Sequence, residues 1–151
     1  MRQVIQHDAT KPSTKIPSVA LVRVSSKKFE QTESYNAQCD YWERKLGIDP
    51  FVDFKGIYGD EGISGRTQRK RPAFQQMMID ARLGKFKTIY TKSLSRFGRN
   101  NCETVSAILV LLDVGINVVF ENENLDTKNL NSQMFIKIRS ILAEKESDTM
   151  Q

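Results

Sequence analysis

Apolar positions along the chain come in two alternating kinds of stretch: short unbroken runs and longer stretches with helical spacing. The run Val19-Ala20-Leu21-Val22 holds no Gly or Pro and reads as a buried parallel strand spanning Ser18 to Val24. Tyr35, Cys39, Trp42 and Leu46 then recur at helical spacing, which predicts a helix from Thr32, as its cap, to Leu46, ended by Gly47 and Pro50. Phe51 to Tyr58 reads as a second, weaker strand. Pro72 suits the first position of a helix whose stripe is Phe74, Met77, Met78, Ala81 and Leu83, closed by Gly84. Lys87 to Thr91 is a third strand, followed at Leu94 to Asn100 by a turn or short helix. Cys102 to Val114 is helical and apolar almost all round, so it is either buried or covered by a partner. After Gly115, Asn117 to Glu121 is a fourth strand and Asn122 to Asn131 a polar loop. A last helix starts near Ser132, with Met134, Ile138 and Ile141 on one stripe and Phe135 and Leu142 beside it.

This alternation predicts an α/β fold, a mostly parallel sheet of four to five strands with helices on both faces. The polar segment 1–17, with Pro12 and Pro17 and no period, is expected to be a flexible leader to a domain over 18–130. Segment 131–151 shows no helix-ending signal and reads as the start of a longer helix.

Composition narrows the chemistry. At 151 residues the chain can bury a real core, and its net charge of +5 leans toward a polyanionic partner. No run approaches a membrane span and no apolar signal core opens the chain, so an intracellular (cytoplasmic) location is expected. Cys39 and Cys102 fit no CxxC pattern and read as free thiols. His7, in the leader, is the only histidine. A Ser-His-Asp triad or a histidine-rich zinc site is thereby hard to assemble. Gly59, Gly62 and Gly65 match neither GxGxxG nor a P-loop. No cofactor or metal is expected.

The candidate chemistry gathers where strands end. Arg23 and Ser25 share a strand face at the carboxyl end of the first strand, the end at which open α/β sheets bind ligands. A serine there is ordinarily a turn former, and Arg23 ordinarily a salt-bridge partner of a carboxylate such as Asp60. Arg96 and Arg99 follow the third strand at i and i+3; on a helical turn both would point the same way. With Arg23 they describe a phosphate site, because guanidinium forks match phosphate oxygens two at a time. Arg71 precedes Pro72 at a helix N-terminus, which favours an anion, although Arg66, Arg69 and Lys70 around it also suit a solvated basic loop. Asp60 closes the second strand and is placed to orient an arginine, handle a proton or simply form a turn. These residues suggest Ser25 as a nucleophile on a DNA phosphate, activated by clustered arginines rather than by an imidazole.

The same residues resemble the catalytic domain of the serine recombinases, the resolvase, invertase and serine integrase family, over about Ser18 to Glu146. Arg23-Val24-Ser25-Ser26 is similar to the family's nucleophile motif. Ser34-Tyr35-Asn36-Ala37-Gln38 is similar to the segment whose glutamine, here Gln38, lies at the active site. Tyr58-Gly59-Asp60-Glu61-Gly62-Ile63-Ser64-Gly65 resembles the acidic-to-Ser-Gly loop, which brings Ser64 among the site residues, and Arg71-Pro72-Ala73 carries that loop's arginine. Leu94-Ser95-Arg96-Phe97-Gly98-Arg99 resembles the motif with two catalytic arginines, with Ser95 where many relatives have Asp. The resemblance implies a resolvase-like catalytic domain with a long C-terminal helix leading to a DNA-binding domain outside this sequence. It also implies double-stranded DNA attachment sites as substrate, a 5′-phosphoserine intermediate, strand exchange and religation, and a homodimer that becomes a tetramer in synapsis. Both the last helix and the Cys102 helix would serve that assembly, although the Cys102 stripe equally suits packing inside the domain. The alternative is a non-catalytic DNA-binding or assembly module of the same fold. A phosphatase or a receiver domain is a third reading; a receiver needs an acidic pocket where this one is basic.

Overall fold

A computed structural model describes residues 14–23, 34–60, 71–131, 133, 136–140 and 143–144. Its centre is β1 (Ile16–Arg23), in which Val19, Ala20, Leu21 and Val22 are each no more than 2% exposed. Period-two alternation sends Val19 and Leu21 to one face of the sheet and Ala20 and Val22 to the other. Both faces are therefore covered, as the unbroken apolar run requires.

The five strands run in the order β2-β1-β3-β4-β5, with β2 at Val52–Asp60, β3 at Thr88–Thr91, β4 at Asn117–Phe120 and β5 at Leu125–Asp126. The first four are parallel and β5 is antiparallel to β4. On one face, α1 (Tyr35–Gly47) buries Trp42 and Leu46 against Ala20, Val22 and Val52. On the other, α2 (Pro72–Arg82), α3 (Leu94–Phe97) and α4 (Asn101–Asp113) enclose the larger core with Ile89, Val118 and Phe120. Each fully buried side chain of this size stabilises the fold by roughly 1.5–3 kcal/mol.

The structure departs from the sequence pattern at several points. β1 begins at Ile16, inside the segment read as leader, because Ile16 and Pro17 pair with Val52 and Asp53. The cap of α1 is Ser34, whose Oγ accepts from Ala37 N at 3.0 Å; Thr32 lies outside the described residues. Leu83 is not on the core stripe but follows the end of α2 and is 68% exposed. The segment read as a polar loop contains β5 and a 3-10 turn at Thr127–Asn129, fastened where Thr127 Oγ1 accepts from Val118 N at 2.8 Å. In α4 only one face is buried, through Thr104, Ala107, Ile108 and Leu111, while Leu109 is exposed. Residues 136–140 are helical and Ile138 is fully buried in the main core; Ser132, Met134, Phe135, Ile141 and Leu142 lie outside the described residues. Cys39 and Cys102 are free, the first half-buried and the second exposed.

Candidate active site

The order β2-β1-β3 places the ends of the first and third strands side by side, a switch point of the kind at which α/β sheets bind ligands. Arg23 is the last residue of β1 and α3 follows β3 directly. Their side chains and backbones are laced together. Arg23 Nη2 donates to the Ser95 carbonyl and Arg23 Nε to the Arg96 carbonyl, the latter at 3.3 Å. Arg96 Nη1 donates back to the Arg23 carbonyl at 3.2 Å and to Gln38 Oε1, on α1, at 2.7 Å. Burial first, then the charge of Arg96, push the Arg23 guanidinium below its ordinary pKa. The expected pairing of Arg23 with a carboxylate is thus replaced by bonds to carbonyls, which turn the strand end and α3 toward each other.

Arg71 is not a solvated loop arginine. It is 2% exposed, and its φ of 47° and ψ of 61° place it in the left-handed region. A non-glycine residue there costs of order 1–3 kcal/mol and persists only when its surroundings fix it. They do: Nη1 donates to Glu103 Oε1 at 3.3 Å, Nη2 to the Arg96 carbonyl at 3.5 Å, and the guanidinium carbon lies 4.0 Å from the centre of the Phe74 ring. Burial, and next the charge of Arg23, lower its pKa to about 10 against the pull of Glu103 and Asp60. Arg71 therefore stays charged at neutral pH.

The anion at the N-terminus of α2 belongs to the protein. Asp60 Oδ1 accepts from Ala73 N at 2.8 Å and Oδ2 from Phe74 N at 3.1 Å. Asp60 is 6% exposed and does the capping that Arg71, at the cap position, cannot do.

Arg99 does not share a helix with Arg96. α3 ends at Phe97, and Gly98 follows in extended conformation so that the start of α4 can approach it closely; a side chain at Gly98 would collide with Thr104. Arg99 instead pairs with Glu103: its backbone N donates to Oε1 at 2.6 Å and its Nη2 to Oε2 at 3.2 Å. Ser95, in the position before Arg96, is exposed, with its Oγ 3.1 Å from Ser93 Oγ. Among the predicted site residues the structure thus brings together Arg23, Gln38, Arg71 and Arg96, with Arg99 linked through Glu103 and Asp60 at the adjoining strand end. Ser25 and Ser64 lie outside the described residues, as do Gly62, Gly65, Arg66, Arg69 and Lys70.

Glu103 is a residue the sequence reading passes over. Burial works to raise its carboxyl, but hydrogen bonds from Arg99 and the charges of Arg71 and Arg99 hold it below the ordinary range. Two patterns pointed to it: Asn100-x-x-Glu103 at the start of a helix, and Arg99…Glu103 at i, i+4.

A second carboxylate was also missed. Glu121, just past β4, accepts from Tyr41 and Lys45 of α1 through Oε2 and from Lys92 through Oε1 at 2.8 Å. Burial raises its pKa, yet the hydrogen bonds from Lys45, Lys92 and Tyr41 win and bring it down to about 2 from an ordinary 4.5. A depressed carboxylate contributes stability that is present above its unfolded pKa and lost as pH falls through the folded one. Glu121→Gln is therefore expected to destabilise the domain at pH 7 and to flatten its acid limb between pH 4.5 and about 2, measured by urea melts across that range. A variant with the native acid limb would show that Glu121 is not the group responsible.

Among the described residues no group of three or more His, Cys, Asp or Glu side chains is placed to share a metal ion, and no helix is long and apolar enough to cross a membrane.

The comparisons agree with this fold. A resolvase-family site-specific recombinase from Streptococcus pneumoniae has a similar structure, with a TM-score of 0.68, 26% identity, and 90% of this chain and 91% of that chain covered. The N-terminal catalytic domain of TP901-1 integrase shares the fold, with a TM-score of 0.62, 24% identity, and 89% of this chain and 99% of that chain covered. No curated protein sequence matches the chain. The family model of the resolvase N-terminal domain matches residues 18–151, and the chain belongs to that family.

Proposed function

We propose that this chain is the catalytic domain of a serine-type site-specific DNA recombinase, with Ser25 as nucleophile. The observation that carries the reading is the mutual lacing of Arg23, Arg71 and Arg96 at the carboxyl ends of β1 and β3, with Ser25 two positions beyond Arg23 in sequence. Such a cluster suits the extra negative charge of a five-coordinate phosphorus. In the reaction Ser25 Oγ bonds to phosphorus as the bond to the 3′ oxygen breaks, leaving a 5′-phosphoserine and a free 3′ hydroxyl. One phosphodiester replaces another, so the bond energy is kept and no nucleotide is needed. Attack by a 3′ hydroxyl on the phosphoserine reseals a strand and frees the serine. Arg99, Gln38, Asp60 and Ser64 complete the proposed site. Double-stranded attachment sites are the substrate, a dimer binds each site, and two dimers join as a tetramer for strand exchange.

The test is covalent trapping. The protein, with its DNA-binding region, is mixed with an end-labelled cognate site carrying a nick that lets the cut strand escape, and label migrating with protein is read on a denaturing gel. Label that depends on Ser25 and disappears in Ser25→Ala is the expected result. No adduct from the native protein, with DNA binding intact, would sink the proposal and leave a non-catalytic module.

A further inference from the structure

Glu103 makes contacts that a helix-terminal glutamate does not need. Its place is fixed from below by the start of α4, where its backbone N donates to Asn100 Oδ1 at 2.8 Å. From there one carboxylate reaches two arginines of different elements: Arg71, at the entry to α2, through Oε1, and Arg99, in the turn before α4, through both oxygens. The two arginines differ in setting. Arg71 is buried, and among the described residues its Nε has no hydrogen-bond partner, whereas the Arg99 side chain is 42% exposed. Among the described residues Glu103 is the carboxylate that pairs with Arg71. The other nearby carboxylate, Asp60, has both oxygens on the backbone of α2.

We infer that Glu103 is a positioning residue for the arginine cluster: its carboxylate, shared between Arg71 and Arg99, sets the separation and orientation of those two guanidiniums. This rests on the recombinase reading for its catalytic consequence, but not for its geometry. An exposed i, i+4 pair with Arg99 alone would contribute little. The link to a buried, backbone-strained Arg71 is what makes the pair directional. Arg71 in turn holds the Arg96 carbonyl, so a change at Glu103 is passed to the residue that also bonds Arg23 and Gln38. Removing the charge takes one partner from Arg99 and, among the described residues, the paired carboxylate from Arg71. A misplacement on the scale of an ångström can cost about 10²-fold in rate.

The experiment has two arms. In the first, adduct formation on the nicked site is followed in a single turnover for the native protein, Glu103→Gln, Arg71→Gln and the double variant. Glu103→Gln is expected to slow the step by about 10²-fold with DNA affinity nearly unchanged. The double variant is expected to be slower than Arg71→Gln alone by much less than Glu103→Gln slows the native protein, since the part of the effect that passes through Arg71 is already lost. A Glu103→Gln protein that cleaves at the native rate, or a double variant showing the full product of the two effects, would overturn the inference. In the second arm, the Glu103 carboxyl is titrated by carbon NMR in the native chain, in Arg71→Gln and, because a buried substitution can unfold the chain, in the exposed Arg99→Gln. A midpoint below the ordinary carboxylate range that rises in each folded variant is expected. A midpoint unmoved by either arginine would overturn the shared pairing. If the native protein forms no adduct, the recombinase reading fails and the titration alone decides the place of Glu103.

Discussion

Arg96→Ala is expected to slow strand cleavage by roughly 10²–10³, the cost of removing one preorganised group from the transition state. The effect should appear in rate rather than in stability. The Arg96 side chain makes two of the bonds across the site, to the Arg23 carbonyl and to Gln38. Its backbone carbonyl makes two more, accepting from Arg23 and Arg71, and these survive truncation of the side chain. The scaffold therefore stays laced while the charge disappears. Arg96→Lys is not a rescue, because an ammonium lacks the planar fork that fits phosphate. Single-turnover cleavage of the nicked site measures the loss, and a thermal melt confirms that the fold is kept. An Arg96→Ala protein with native cleavage would remove Arg96 from the mechanism.

Phe97→Ala should destabilise the domain by about 3–5 kcal/mol, the usual range for deleting a fully buried aromatic ring. Phe97 is completely buried, and its ring meets Phe74 of α2 and Phe120 of β4 edge-on, each with centroids 5.5 Å apart. α3 has only four residues and cannot persist as an isolated helix. Its anchorage is the Phe97 ring together with Leu94, whose backbone N donates to Glu123. Against a typical total of about 5–15 kcal/mol, this loss is a large share of the stability. Urea unfolding should show a lowered midpoint with little change in slope. A shift of less than about 1 kcal/mol would mean that the core refills around the missing ring. Because Arg96 is the neighbour of Phe97, the variant should also lose cleavage at temperatures where the native protein is active.

The parts of the fold that announced themselves in the sequence are those in which one physical rule acts alone. The β1 run is apolar on both faces because both faces are covered, and Gly115, at a φ of 80°, marks the turn out of α4. Ser34 and Thr32 were not separable as caps, since both are hydroxyl residues in one polar stretch. β5 has two residues, too few to show a period, and its place depends on Leu125 pairing with Phe120. At the site, Arg23 and Arg96 were legible because strand ends locate them. The burial of Arg71 was not, because it follows from a left-handed backbone that no local pattern specifies. Nor was the division of labour between carboxylates: Asp60 went to a helix N-terminus and Glu103 to the arginines, a choice made by tertiary contact.

The two outer strands of the sheet have a consequence for the protein in bulk. β5 offers a two-residue edge, and β2, at the opposite side, is interrupted where the register with β1 skips Lys55 and Gly56 takes a φ of 144°. Neither presents a long, flat row of backbone groups to a neighbouring molecule. Strand addition from one molecule to the next, the route by which concentrated protein grows into fibrils, is thereby discouraged.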